Sequence, residues 1–164
     1  MYFWKIDALK RHLAHGSLSE KQMYGYMMAY LVFSATAVEM MRYLPEKEPN
    51  AWTYYGSMMN LLIPVVGTMM AFRANGGESG VQFLQRYMSI SLVVTIRYMA
   101  MILMIGLPLA VLLIAIAILM TDFKNNFAGS PLEIVSSCAY ALLYFFIVKH
   151  IREVATAQQG AAGA

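Results

Sequence analysis

Glu39 is the one acid set well inside an apolar run of this chain of 164 residues. A carboxylate at the bilayer centre costs about 2.5–3.5 kcal/mol on the insertion scale, which makes it a default candidate for a proton or cation site. Only Met40 and Met41 separate it from Arg42. An ion pair with Arg42 at the outer interface is therefore the plainer expectation. Asn60 lies deeper in the next apolar run, one turn before Pro64. A buried amide there either cross-links helices or meets a solute. Arg86 and Arg97 stand eleven residues apart, close to three helical turns. They are candidates for contact with an anionic lipid headgroup or a partner's carboxylate. The alternative is simple anchoring at the basic side of the membrane.

Other chemistries lack their parts. His12 and His15 have metal-chelating spacing, but a tetrahedral site needs more ligands. No histidine lies in a long apolar run, so paired haem ligation inside a membrane is excluded. Met99, Met101 and Met104 suit Cu(I), yet methionine more often fills apolar contacts. Ser34, Thr36, Ser136 and Ser137 have no histidine beside them in sequence. The glycine-rich stretch Asn75–Gly80 lacks the lysine of a phosphate loop. Cys138 is the single cysteine, so no intrachain disulfide forms. The expectation is a protein that is not an enzyme, with no catalytic residue, no metal and no cofactor.

These residues must be positioned by helices in lipid. The composition is 60% hydrophobic and 13% charged, with mean hydropathy +0.55, whereas a soluble domain carries about 25% charged residues. From Met99 to Met120 no charge appears; a helix of that length, about 33 Å, crosses a hydrocarbon core of about 30 Å. Four spans are predicted, at about 23–41, 52–72, 94–120 and 132–148. Before them, residues 1–16 carry Tyr2, Ile6, Leu9 and Leu13 at helical spacing. They predict a short interfacial helix anchored by Trp4. Residues 17–150 form the membrane domain and 151–164 a flexible tail. Ser17–Glu20 and Ser79–Gln82 read as capping boxes, and Asn50 as an N-cap. The third helix is too long for one straight span, so it is expected to bend near 89–97 and at Gly106–Pro108. Gly67 and Ala71 are spaced for close helix contact. Ala35-Thr36-Ala37 has the form of a cleavage site, but the long, partly acidic stretch before it argues for a retained span.

Basic residues set the orientation. Nine (Lys5, Lys10, Arg11, Lys21, Arg73, Arg86, Arg97, Lys149 and Arg152) fall on one side, and three (Arg42, Lys47 and Lys124) on the other. The positive-inside rule puts both termini in the cytoplasm.

The string Phe72-Arg73-Ala74-Asn75-Gly76-Gly77, followed by Phe83-Leu84-Gln85-Arg86-Tyr87 and Val93-Val94, resembles small uncharacterised polytopic proteins of bacterial inner membranes. The likeness covers about the middle third of the chain and implies that location, with no activity. The expectation is an all-α integral membrane protein with four transmembrane helices. Its role is that of an accessory or structural subunit, with the lipid bilayer, copies of itself or other membrane subunits as partners and no nucleic acid. The rival is a small oligomeric transporter or channel using Glu39 or Asn60.

Overall fold

The computed structural model describes residues 4–41, 50–119 and 130–162. Over these residues the chain forms α1 (Ile6–His15), α2 (Glu20–Met41), α3 (Ala51–Ala74), α4 (Phe83–Leu119) and α5 (Ser130–Ala162), with a 3-10 turn at Gly77–Ser79. Residues 1–3, 42–49, 120–129 and 163–164 lie outside the described residues. So does Arg42, the expected partner of Glu39.

Helix starts follow local hydrogen bonding, not always at the expected residue. Asn50 caps α3 as its position predicts. Its Oδ1 accepts from the N–H groups of Trp52 at 2.9 Å and Thr53 at 3.0 Å, and its own N–H donates to Thr53 Oγ1 at 3.3 Å. The box at the head of α2 is shifted by two residues from Ser17 and Glu20. Ser19 Oγ accepts the Gln22 N–H at 3.3 Å, and Gln22 Oε1 accepts the Ser19 N–H at 3.1 Å. The reason is tertiary: Leu18 is buried and its carbonyl accepts from Gln85 Nε2 at 3.3 Å. The box expected at Ser79–Gln82 gives way to a turn. Gly76 has φ 105° and Gln82 φ 54°, and Ser79 Oγ donates to the Gly76 carbonyl at 2.8 Å. A left-handed residue interrupts a right-handed helix, so α4 starts after it.

Among the described residues, three stretches are long and apolar enough to cross a membrane: Ala51–Ala74, Phe83–Gly106 and Ile134–Gly160. The qualifying stretch of α4 begins at Phe83, the first residue of the helix, and includes both Arg86 and Arg97. α2 has 22 residues, but a charged first turn and three tyrosines dilute it. α4 continues as helix through Gly106 and Pro108 to Leu119.

α3 packs along α5, α5 on α4, and α4 on α2, while α1 rests on α5 and α4. Gly67 permits the first of these contacts. A Cβ there would lie 2.2 Å from Tyr144 Cδ1, and lipid supplies no hydrophobic drive to offset a looser fit. Gly67 and Ala71 are both buried. The apolar stripe of α1 meets protein where the sequence points to lipid. Ile6, Leu9, Leu13 and Ala14 are buried, whereas Trp4 is 63% exposed. Residues 151–162, expected as a flexible tail, instead continue α5. Ile151, Val154 and Ala155 are buried, and their spacing makes a stripe that α1 covers.

Candidate functional site

Arg86 is the largest of the fully buried side chains, 1% exposed. It projects from the first turn of α4 toward the end of α3 and the end of α5. Its Nη1 donates to Asn75 Oδ1 at 2.8 Å, and its Nη2 donates to Gln158 Oε1. Nε has no acceptor among the described residues. Asn75 is buried as well, and its Nδ2 donates to the Val81 carbonyl at 3.1 Å. Gly80 passes so close that a Cβ would lie 2.3 Å from the Asn75 carbonyl oxygen. The arrangement is a clasp: one cation ties the α3–α4 turn and the end of α5 through two amide oxygens. Hydrogen bonds to a charged group contribute about 1.5–3 kcal/mol each.

The structure does not bring Arg86 and Arg97 to one surface. Arg97 is exposed, while Arg86 faces inward. Glu39 and Asn60 are both exposed on the outside of the chain, and neither is brought to Arg86. Among the described residues no three His, Cys, Asp or Glu side chains converge as a metal site.

A second polar feature escaped the sequence reading. A cavity of about 280 Å3 between α2, α4 and α5 is lined by Tyr30, Ser34, Tyr87, Ser91, Tyr140 and Tyr144, among others. Tyr87 Oη also lies 2.8 Å from Thr68 Oγ1 on α3. The signal was present: each helix contributes two hydroxyl residues four apart, so both point one way. Tyrosine and serine hydroxyls are donors and acceptors that stay neutral near pH 7. The cavity therefore suits water or a neutral polar group and lacks the acid or base of a proton relay.

A third cluster holds α1 down. Lys10 Nζ lies 2.8 Å from both Asp7 Oδ1 and Glu153 Oε2, and His150 Nδ1 lies 3.1 Å from the same Glu153 oxygen. The hydrogen bond and charge of Lys10 hold the Asp7 carboxyl below its ordinary value. Burial alone would lower the Lys10 ammonium, but its hydrogen bonds to Asp7 and Glu153 outweigh that and raise it. Neutral pH thus finds the pair ionised.

Comparison of the chain with protein-family models, with curated protein sequences and with solved structures gives no match.

Proposed function

We propose that the protein is a non-enzymatic accessory or structural subunit of a membrane complex, assembled with copies of itself or with other membrane chains. The resemblance of the middle third favours the bacterial inner membrane, and the basic-residue asymmetry favours both termini on the cytoplasmic side. In this reading α2 is a fourth crossing, and α4 bends at Pro108, where a backbone donor is missing.

One observation carries the proposal. Arg86 ties Asn75, at the end of α3, and Gln158 of α5 to one layer of the molecule. In the neighbouring turns, Lys5 before α1, Asp7 and Arg11 of α1, and Lys149 and Arg152 of α5 are exposed. Level with Tyr144 and over the turn beyond it, α3 exposes Val66, Met69, Met70 and Phe72, and its charge begins at Arg73. Arg97 is exposed beside Phe146 and His150 of α5, two and six residues beyond Tyr144, so a flat lipid boundary with Arg97 among the headgroups leaves this apolar face of α3 outside the hydrocarbon. A protein partner on α3 resolves the conflict by covering the apolar face outside the hydrocarbon. With Arg86 buried and Glu39 and Asn60 facing outward, neither candidate transport residue lines the interior, and the hydroxyl-lined cavity holds no carboxylate among the described residues.

A photoreactive phenylalanine analogue placed at Val66, and separately at Leu103, tests this in intact cells. The expected result is a discrete protein adduct from Val66 and only lipid adducts from Leu103. Lipid adducts alone from both positions would mean that a tilted monomer accommodates the two faces, and the subunit reading would fall.

A further inference from the structure

The charged and apolar zones of the molecule meet at a groove of about 420 Å3 beside Arg97. Its polar end is made by Arg97, His150 and the indole of Trp4. Its other end follows one face of α4 through Met101, Met104 and Ile105, four, seven and eight residues beyond Arg97. That spacing keeps them in a single stripe. Toward α1, charged groups crowd the surface: Asp7, Lys10, Lys149 and Arg152. Away from it, no charge follows on α4 from Met99 to Leu119.

We infer that this groove is a binding site for one acidic phospholipid. The occupant is chosen by the direction of the groove as well as by its charge. A phosphate headgroup needs a cation and a hydrogen-bond donor, and the Arg97 guanidinium offers a planar fork of donors for phosphate oxygens. Trp4 is mostly exposed, as a ring seated at headgroup level is, and its N–H is a further donor. An acyl chain leaving that headgroup runs along the methionines, whose flexible thioethers adapt to a mobile partner. A soluble anion would use the first end and leave the second unexplained; a neutral lipid would use the second and leave Arg97 without an anion. Asp7 is the acidic group on which Arg97 acts through space, and it is already bonded to Lys10 at 2.8 Å. The inference stands apart from the subunit reading, because it concerns the Arg97 groove and not the face of α3.

The chain has two tryptophans, Trp4 and Trp52. Trp52→Phe leaves Trp4 as the reporter. The purified protein in mild detergent is titrated with phosphatidylglycerol carrying brominated acyl chains, and Trp4 quenching is followed. Half-saturation is expected at a mole fraction about tenfold lower than with brominated phosphatidylcholine, the ratio that corresponds to about 1.4 kcal/mol. Arg97→Gln should abolish that preference, Arg97→Lys should keep part of it, and Arg152→Gln should keep it whole. Circular dichroism on each variant confirms that the helices persist. Millimolar inorganic phosphate should not reverse the quenching. Equal quenching by the two lipids, an unaffected Arg97→Gln variant or displacement by phosphate alone would each overturn the inference.

Discussion

Two halves of one helix have opposite fates. From Phe83 to Tyr98, α4 carries Gln85, Arg86, Ser89, Ser91 and Arg97, yet this is where Arg86, Ser89, Ile90, Leu92, Val93 and Val94 are buried. From Met99 onward it carries no charge, yet Met99, Met101, Leu103, Met104, Ile105, Leu109 and Leu112 are exposed. In water the second half would be the core. The difference teaches what the solvent is. Lipid leaves apolar side chains with nothing to gain by hiding, so packing is decided by polar groups that must find partners and by small residues that allow close approach.

The largest expected effect breaks the polar half. Arg86→Leu removes the donors from Asn75 and Gln158 and leaves one buried and one half-buried amide oxygen open. It should destabilise the protein by about 3 kcal/mol, within the range for breaking a buried polar pair. Detergent-titrated unfolding followed by circular dichroism measures it. An unchanged midpoint would show that the clasp is incidental.

The sharpest test uses two leucines on the same helix. Leu92 is 1% exposed and Leu103 is 61% exposed. Leu92→Ala should cost about 2–3 kcal/mol, at the lower end for a buried truncation. Leu103→Ala should stay within about 0.5 kcal/mol, as exposed substitutions do. Equal losses would place a protein surface on Leu103 and erase the contrast between the halves.

The smallest effect concerns the strap that holds α1 against the packed half. Asp7 is depressed in the folded protein, so its contribution is present above its ordinary value of 3.8 and is lost as pH falls through a lower folded value. Lys10 is raised, so its contribution is present below 10.5 and is lost as pH rises through a higher folded value. The difference in melting temperature between the wild type and Lys10→Met should therefore be flat between those limits and shrink outside them. Because Asp7 is fully exposed, half-molar salt should also reduce it. A difference that changes steadily from pH 5 to pH 9 would contradict the assignment.

Some of this architecture was legible because it is local. Asn50 caps α3 through bonds that span two and three residues. Long apolar runs declared the lipid solvent through length alone. The close approach at Gly67 was readable as a small-residue spacing, though not its partner, Tyr144. The first serine box was misplaced because Leu18 is held by Gln85, a contact across 67 residues, and the second because the chain turns through left-handed Gly76 and Gln82. Residues 151–162 read as a loose tail because Ile151, Val154 and Ala155 declare a stripe only once α1 is there to receive it.

The sequence by itself determined helices and a membrane, since both follow from backbone capping and from the length of uncharged runs. Only the tertiary structure decided which arginine is buried. Arg86 and Arg97 are the same residue type on the same helix, and nothing local separates them. Asn75 lies eleven residues from Arg86, but Gln158 lies 72 away, and that contact exists only after α5 has packed beside α4. A buried cation is tolerated where oxygens are already waiting for it, so the acceptors brought together by the fold, and not the arginine, chose the site.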